Sequence, residues 1–337
     1  MLSGVPVATQ PADLVGDLPG DFVERVNGLL ERIEEGLAEA AVAETDFVTE
    51  AARHIIQAGG KRFRPLLVVL AGLIAEEPDE DAIVRAALVM ELTHVASLYH
   101  DDVMDEAELR RGAPTANRRW DNTVAILVGD FLFSRASSIV STLGTDYVRL
   151  QSDTFARLVQ GQIAETRGPL PGADLLDHYL NVLADKTGSL IAASAIFGGM
   201  VAGAPRPVLD ALAAYGEEIG VVFQLSDDII DIDSDSSGKT PGTDLRAGVP
   251  TLPTLLARRS SDAGDARLLS LLDADLSAEA DLAEALGLMR AHPAMTEARD
   301  EVTRRAEVAR SLLDPLPEGP AKAALSALCD GVISRSS

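Results

Sequence analysis

The sequence predicts an all-α fold, and three observations lead to this prediction. Alanine and leucine, which both favour helices, dominate long stretches of the chain. From Asp21 onward, apolar residues recur with helical spacing between short breaks rich in glycine and proline. Strand patterns are nearly absent, and an apolar run such as 124–128 is ambiguous by itself. We therefore expect one domain of about ten or more helices around a single core.

The order of the helices follows from the breaks between them. Residues 1–20 contain Pro6, Pro11 and Pro19 and are expected to form a flexible N-terminal arm, so the helical domain would span residues 21–337. Its helices are expected to be separated at 58–60, 77–78, 112–114, 144, 168–172, 203–207, 234–242, 260–264 and 315–320. No segment is long and polar enough to require a second domain.

The composition indicates a folded, acidic protein. The chain has 337 residues, of which 47% are hydrophobic and 4% aromatic, so a large core is expected. The formal net charge of -24 argues against nucleic acid as a partner, because phosphates require a basic surface. Most of the carboxylates are expected to form a solvated exterior that keeps the protein soluble.

The cysteine content and the apolar runs point to a cytoplasmic location. Cys329 is the one cysteine, so no intrachain disulfide and no cysteine metal site is expected, which suits a reducing compartment. The N-terminal residues lack the basic segment and apolar stretch of a signal peptide. The longest apolar runs, 66–75 and 195–204, have about half of the ~20 residues that a membrane span needs. We expect no transmembrane segment, while transient membrane contact stays open.

One acidic pattern occurs twice in the chain. Its two copies consist of Asp101, Asp102 and Asp105, and of Asp227, Asp228 and Asp231. Each copy follows an apolar, helix-like stretch, and on a helix its first and last carboxylates share one face, one turn apart. Such close like charges repel each other, which favours bound cations, and hard oxygen ligands select Mg²⁺ or Ca²⁺. Two acidic faces turned toward each other would hold a diphosphate through Mg²⁺.

Basic residues that would complete a diphosphate site flank the first motif. The segment from Gly59 to Pro65 provides three cations, namely Lys61, Arg62 and Arg64. This segment begins an apolar helix, and a helix N-terminus is itself an anion site. Arg110 and Arg111 follow the first motif, after two expected turns of helix. Arginine binds phosphate oxygens in a bidentate manner, whereas lysine acts as a point charge.

Two histidines precede the first motif. His94 lies seven residues before Asp101, two turns away on a similar helix face, and His100 is adjacent to the motif. A lone histidine in an apolar helix is usually structural, and no zinc-binding pattern accompanies these two.

The loop after the second motif is the most distinctive connection. Residues 233–244 are polar and rich in glycine, which is typical of a mobile flap, and the one cation in this loop is Lys239. A new helix is expected to begin at Thr251-Leu252-Pro253.

Taken together, these motifs resemble the trans-prenyl diphosphate synthases, the polyprenyl synthetase family. The segments GGKRFRP, HDDVMDEAELRRG, ADKTG, FQLSDDIID and GKTPGTDL occur in the order seen in this family, over about residues 20–335. The surroundings of the first motif look most like long-chain synthases of actinobacteria that make menaquinone side chains. The resemblance implies an isoprenoid-synthase-type helical bundle around a central cavity, and a homodimer.

The resemblance also implies a reaction and a set of site residues. The reaction would be Mg²⁺-dependent head-to-tail condensation of isopentenyl diphosphate with an allylic diphosphate, giving an all-trans product. The six motif aspartates would bind a cluster of about three Mg²⁺ on the allylic diphosphate. This diphosphate or its metals would contact Arg110, Lys186, Thr187, Gln224 and Lys239. Isopentenyl diphosphate would be held by Gly60, Lys61, Arg64, His94 and Arg111. Many relatives have a second flap lysine near the position of Thr243.

Product length would depend on the residues one turn before the first motif. Ala96 and Ser97 are both small, whereas a Phe or Tyr there implies, by the same resemblance, a cavity floor that stops growth early. We therefore expect a product of at least geranylgeranyl length, and a longer polyprenyl chain of the quinone side-chain type. Met90 or Phe155 would close the cavity further down if either reached into it.

Three other functions stay in view. A class I terpene cyclase would usually have one aspartate motif and an Asn-Ser/Thr-Glu triad, whereas this chain has two full aspartate motifs. A non-catalytic subunit of a heteromeric synthase would be expected to lose aspartates, and all six are present. A Ca²⁺-binding helical protein would need an acidic 12-residue loop that ends in Glu, and the chain has none.

Overall fold

The computed structural model describes residues 18–233 and 241–335, and helices account for most of them. The first six helices are α1 (Gly20–Ala40), α2 (Asp46–Gln57), α3 (Phe63–Gly72), α4 (Glu80–Met104), α5 (Ala116–Arg119) and α6 (Asn122–Ser141). The next are α7 (Thr145–Arg167), α8 (Leu175–Leu183), α9 (Ser189–Val201), α10 (Arg206–Asp233) and α11 (Thr243–Ala247). The last are α12 (Leu252–Ala257), α13 (Ala266–Leu272), α14 (Glu279–Ala291), α15 (Pro293–Ser311) and α16 (Pro320–Arg335). The all-α prediction is confirmed.

Three short elements interrupt this pattern. Strands β1 (Leu109–Arg110) and β2 (Ala113–Pro114) pair in antiparallel register and form the one sheet within the described residues. A turn of π-helix, Ala184–Gly188, joins α8 to α9, and a 3₁₀ turn, Ala263–Asp265, precedes α13. Wide helical turns of this kind occur often at functional sites, so the π-turn marks a segment to inspect.

The chain forms two compact units. Among the described residues, unit 1 contains 18–155, 190–213 and 313–328, and unit 2 contains 156–189, 214–233, 241–312 and 329–335. The single-domain prediction, with an arm at residues 1–20, stays a prediction. Of that arm only residues 18–20 are described, and Gly20 already begins α1.

The core of unit 1 is built around α4. This helix packs most extensively against α6, and also against α3 and α1. Its start is fixed by Asp79, whose carboxylate accepts a hydrogen bond from the Ala82 amide at 2.9 Å. Helix α9 approaches α3 so closely that a Cβ at Gly198 would lie 2.4 Å from the Val68 carbonyl oxygen. Dense helix packing thus holds α4, which carries the first motif, in a fixed position.

The core of unit 2 centres on α12, which packs against α15, α14 and α8. Helix α12 begins at Leu252, as the sequence predicted, and Thr251 caps it through mutual hydrogen bonds with Thr254. Asp174 caps α8 by accepting hydrogen bonds from the amides of Leu176 and Asp177. Cys329 is buried and forms no disulfide among the described residues, and burial raises the pKa of its thiol to about 11.

Two described helices are long and apolar enough to cross a membrane if length and composition alone are considered. Helix α4 is mostly buried inside the protein, as core helices are, whereas only 33% of the apolar stretch of α6 is buried. The sequence prediction considered uninterrupted apolar runs and therefore did not single out these helices. The exposed side of α6 includes Ile126 and Leu127, which is 61% exposed.

Candidate active site

The first aspartate motif lies at the C-terminal end of α4. Asp101 and Asp105 are one turn apart as predicted, and the Asp105 amide donates to the Asp101 carbonyl oxygen at 2.8 Å. Asp105 is the C-cap of the helix, and its side chain is exposed, while Asp101 is half-buried. Both carboxylates thus lie at the end of a rigid helix, within reach of solvent.

Asp102 has a different environment from these two neighbours. It is fully buried, and its Oδ1 accepts a hydrogen bond from Arg110 Nε at 2.5 Å. Burial raises the pKa of the Asp102 carboxyl, and the positive charge of Arg110 opposes this rise. The side-chain amide of Asn117 also donates to the Asp102 carbonyl oxygen at 3.1 Å. Asp102 therefore connects the motif to the segment that follows it.

The two arginines after the first motif lie in a hairpin, and the expected two turns of helix are wrong. Helix α4 ends at Met104, and Glu106 has a left-handed backbone with φ 49°, which ends the helical path. Arg110 is in β1, and Arg111 occupies the turn with φ 54°. The hairpin directs the Arg110 side chain back to Asp102.

Four arginines surround His94 in unit 1. Burial lowers the pKa of this imidazole well below its usual value, and the charges of Arg64, Arg111, Arg110 and Arg62 lower it further. His94 is therefore neutral near pH 7 and can donate or accept a hydrogen bond. The same region concentrates positive charge, which makes it a candidate anion site.

Gly60 allows Arg111 to join this group. Its backbone has φ 150°, and a Cβ at this position would lie 2.8 Å from the guanidinium carbon of Arg111. The Arg111 side chain also contacts the Ile55 carbonyl oxygen at 3.5 Å. Lys61, next in the chain, is exposed. The structure thus brings Gly60, Arg64, His94 and Arg111 together, while their role in binding isopentenyl diphosphate stays a prediction.

Arg62 differs from the other cations of its segment. It is 8% exposed and forms ion pairs with Glu34 and with Glu91, whose Oε1 lies 3.0 Å from Arg62 Nη1. Arg62 also donates to the Ile56 carbonyl oxygen at 3.0 Å. Sequence reasoning missed both glutamates, although Glu91 is a charged residue in an otherwise apolar part of α4, which was an available signal.

The candidate product-length residues are buried on the same helix. Ala96 is fully buried, and Ser97 is 7% exposed and donates to the His94 carbonyl oxygen at 2.8 Å. The Ser97 hydroxyl is therefore satisfied within the helix. Farther along unit 1, Phe133 packs against Phe155 with a centroid separation of 4.4 Å.

The second aspartate motif lies inside α10, in unit 2. Gln224 is one turn before Asp228, and Asp227 and Asp231 are half-buried on the same helix. Asp228 is 5% exposed, and its Oδ2 accepts hydrogen bonds from the Tyr179 hydroxyl and from the Leu252 amide, the latter at 3.0 Å. Burial raises the pKa of the Asp228 carboxyl to about 8.

Asp231 contacts the segment that follows the second motif. Its carboxylate accepts hydrogen bonds from the amides of Thr243 and Asp244, at 3.2 and 3.1 Å. Its carbonyl oxygen accepts one from the Gly242 amide at 2.8 Å. Asp231 thus fixes the chain where it returns from the predicted flap. Lys239 lies outside the described residues.

Lys186 and Thr187 lie in the π-turn that follows α8. The Lys186 ammonium is paired with Glu165 of α7. A Cβ at Gly161 would lie 2.7 Å from the Lys186 amide nitrogen, so this glycine lets α7 pack directly against the π-turn. Both predicted residues are half-buried in unit 2, the unit that carries the second motif.

The donor chemistry of the two motifs fits Mg²⁺. Among the described residues, no group of three His, Cys, Asp or Glu side chains is placed to hold a metal ion. Mg²⁺ usually takes one or two carboxylates together with waters and substrate phosphates. Asp101 and Asp105, one turn apart and reachable from solvent, offer such an incomplete oxygen set.

Two aspartate motifs that suit Mg²⁺ and a group of arginines that suits phosphate indicate an enzyme that uses a diphosphate, and comparison with known proteins identifies its family. The chain belongs to the polyprenyl synthetase family, because the family model described as Polyprenyl synthetase matches residues 45–289. It is therefore a prenyltransferase, and it elongates trans-prenyl diphosphates. The predicted family, fold and enzyme class are confirmed.

Several relatives match over nearly their full length. The chain is 47% identical over 331 residues to nonaprenyl diphosphate synthase of Mycobacterium tuberculosis, which covers 96% of this chain and 98% of the relative. It is 42% identical to the solved geranylgeranyl pyrophosphate synthase of Corynebacterium glutamicum complexed with calcium and isoprenyl diphosphate, with a TM-score of 0.85 over 94% of this chain and 98% of that chain. A decaprenyl diphosphate synthase from Rhodobacter capsulatus has a TM-score of 0.84 at 31% identity, over 95% of this chain and 100% of that chain.

Proposed function

We propose that this prenyltransferase condenses isopentenyl diphosphate with an allylic diphosphate and makes a long all-trans polyprenyl diphosphate. The observation that carries the site assignment is the group of four arginines around the neutral His94. Buried positive charges repel one another, and a bound diphosphate would relieve that repulsion. The same group is connected to the first aspartate motif through the ion pair between Arg110 and Asp102.

We assign isopentenyl diphosphate to Arg64, Arg111 and His94, with Lys61 and the Gly60 backbone. Arginine side chains bind phosphate oxygens in a bidentate manner, which fixes the orientation of the substrate. The neutral His94 donates a hydrogen bond to the diphosphate without adding a further charge. Arg62 is not assigned to substrate, because Glu34, Glu91 and the Ile56 carbonyl oxygen already bind its guanidinium.

We assign the metal-binding role chiefly to the outer aspartates of each motif: Asp101, Asp105, Asp227 and Asp231. The inner pair, Asp102 and Asp228, is buried, so its role would be to hold each motif in place through its hydrogen bonds to protein groups. Mg²⁺, in a cluster of about three ions, would neutralise the charge of the leaving diphosphate as a Lewis acid. The allylic diphosphate would also contact Arg110, Lys186, Thr187, Gln224 and Lys239.

The chain's own residues then have three tasks in the reaction. Arg110 and Lys186 stabilise the charge that develops on the diphosphate as its bond to the allylic carbon breaks. Arg64 and Arg111 hold isopentenyl diphosphate so that its double bond attacks the allylic cation. The released diphosphate accepts the proton that is lost afterwards, so no side chain is needed as a base. Apolar surroundings that exclude water protect the cation.

Product length beyond geranylgeranyl is supported by the small, buried pair Ala96 and Ser97. A relative that shares 47% of its residues with this chain is named a nonaprenyl diphosphate synthase, which supports a chain in that range. The pathway would be the supply of a quinone side chain, and the location would be the cytoplasm.

The homodimer is supported by helix α6. This helix is apolar, yet only about a third of its apolar stretch is buried, and Ile126 and Leu127 are exposed. An apolar face of this kind is stabilised when a second copy of the chain covers it. Sedimentation at two protein concentrations, with Leu127→Glu as the variant, would measure the association.

The experiment that tests the function is a product assay. Purified protein would be incubated with Mg²⁺, radiolabelled isopentenyl diphosphate and geranyl, farnesyl or geranylgeranyl diphosphate, and the dephosphorylated products sized by chromatography. We expect products longer than geranylgeranyl that disappear with EDTA. No elongation from any primer by folded protein would contradict the proposal and favour a cyclase or a subunit that needs a partner.

A single substitution tests the role of Ala96. Ala96→Phe places a large ring one turn and one residue before Asp101, so we expect shorter products at a similar rate of isopentenyl incorporation. Ala136→Phe on α6, also at a buried alanine, is the matched control for overpacking. An unchanged product length in a folded Ala96→Phe protein would show that Ala96 does not limit the cavity.

A further inference from the structure

Glu91 is a buried charge that the reaction described above does not use. It is 2% exposed in the middle of α4, one turn before His94. A buried carboxylate is costly unless it is paired and hydrogen-bonded. Its partner is Arg62, at 3.0 Å, so the pair forms part of the interior of unit 1.

Arg62 in turn fixes the segment that carries the substrate-binding cations. It is the N-cap of α3 and has a left-handed backbone with φ 47°, which residues other than glycine adopt only when surrounding contacts hold them. Those contacts come from Glu91, Glu34 and the Ile56 carbonyl oxygen. Arg64 follows two residues later in the first turn of α3, so its position depends on how Arg62 is held.

Glu91 also acts on the arginines assigned to substrate. Burial lowers the pKa of Arg64 to about 10 and lowers that of Arg111, and the negative charge of Glu91 opposes both changes. Arg64 and Arg111 repel each other, and Arg64 Nε is buried without a hydrogen-bond partner among the described residues. Glu91 thus faces three guanidinium groups, of which it binds one directly.

We propose that Glu91 is a positioning residue that holds Arg64 and Arg111 in the arrangement that binds the diphosphate of isopentenyl diphosphate. It acts through the ion pair with Arg62 and through its charge. This inference rests on the assignment of Arg64 and Arg111 to that substrate. It predicts that Glu91 affects the binding of one of the two substrates, whereas a residue that only stabilises the fold would affect both.

The test is Glu91→Gln, which keeps the shape of the side chain and removes its charge. With farnesyl diphosphate saturating, we expect the KM for isopentenyl diphosphate to rise about tenfold, as for other residues that orient binding groups. The KM for farnesyl diphosphate and the kcat should each change by less than about threefold, because the arginines that Glu91 positions are assigned to the other substrate. An isopentenyl KM that is unchanged or lower would overturn the proposal.

Glu34→Gln is the matched control. Glu34 binds the same Arg62 guanidinium as Glu91, but 48% of the Glu34 side chain is exposed. When Glu34 is replaced, Arg62 keeps its ion pair with Glu91. We expect its isopentenyl KM to stay within about twofold of wild type, since exposed ion pairs contribute little. Equal effects of the two substitutions would also overturn the proposal, because they would mean that only the anchoring of Arg62 matters.

A conservative variant keeps the test decisive if Glu91→Gln does not fold. Glu91→Asp retains the charge and moves the carboxylate away from Arg62, so it should raise the isopentenyl KM selectively and less strongly. Circular dichroism and thermal unfolding of each variant establish folding. If wild type fails to elongate any primer, the proposed function fails; if wild type elongates and neither Glu91 variant shifts the isopentenyl KM, this inference alone fails.

Discussion

The two aspartate motifs have the same spacing but different surroundings. In each copy, the second aspartate is buried. Asp102 is compensated by a full positive charge, that of Arg110. Among the described residues, the groups that donate to Asp228 are neutral, namely the Tyr179 hydroxyl and the Leu252 amide. Burial raises the pKa of Asp228 to about 8 although these two hydrogen bonds oppose the rise, and burial also raises the pKa of Asp102, where the charge of Arg110 opposes the rise.

This difference follows from where each motif lies on its helix. Asp105 ends α4, so the chain can turn at once and send Arg110 back to Asp102 through a hairpin. Asp228 lies in the interior of α10, where its nearest partners come from α8 and from the start of α12. One sequence pattern thus gives a carboxylate paired with a charge in one unit and a carboxyl held by neutral donors in the other.

The largest expected difference in stability concerns the two buried aspartates. Asp228→Asn replaces a group that is mostly protonated below pH 8, so the amide oxygen can accept the same two hydrogen bonds. Its free energy of unfolding should stay within about 1 kcal/mol of wild type at pH 7. Asp102→Asn leaves Arg110 without its counter-charge and should cost about 1–3 kcal/mol.

Urea denaturation at pH 7 measures both variants. Asn117→Ala, which removes a neutral hydrogen bond to the backbone of residue 102, separates loss of the charge pair from general loosening of the hairpin. If Asp228→Asn were the more destabilising change, the contrast between a carboxyl paired with a charge and one held by neutral donors would be wrong.

A smaller effect is expected from pH and concerns His94. Its pKa is lowered in the folded protein and is about 6.5 in the unfolded chain, so below pH 6.5 the unfolded state binds a proton that the folded state excludes. Stability from this group is present above pH 6.5 and is lost as the pH falls. Between pH 6.5 and 5, the loss should approach about 2 kcal/mol.

His94→Gln isolates this contribution, because glutamine does not titrate. The difference in unfolding free energy between wild type and His94→Gln should shrink or reverse as the pH falls from 7 to 5. The matched control is His178→Gln, at a histidine on α8 in unit 2. A parallel pH dependence in wild type and His94→Gln would mean that folding does not lower the pKa of His94, which would contradict this prediction.

Much of this architecture could be predicted from the sequence. Local signals were sufficient for the helices, for the one-turn spacing of Asp101 and Asp105, and for the start of helix α12 at Leu252. The family and the reaction followed from the order of the motifs. These features depend on residues that are close in sequence or on patterns that a family shares.

The missed features depend on contacts between distant residues. The hairpin that carries Arg110 and Arg111 arises because Glu106 and Arg111 take left-handed backbones, which their residue types do not predict. Glu34 and Tyr179 gain their roles from partners 28 and 49 residues away. The division of each motif into buried and reachable aspartates is likewise a result of packing, since the sequence shows six identical side chains.

The most direct test of this account compares elongation by two neighbouring substitutions, Asp227→Asn and Asp228→Asn, over a range of Mg²⁺ concentrations. We predict that Asp227→Asn lowers kcat by about 10²–10³-fold and raises the Mg²⁺ concentration needed for half-maximal rate. Asp228→Asn should lower kcat by less than about tenfold with little change in the Mg²⁺ requirement. Equal losses and equal shifts in Mg²⁺ dependence for the two variants would contradict the division between metal-binding and positioning aspartates.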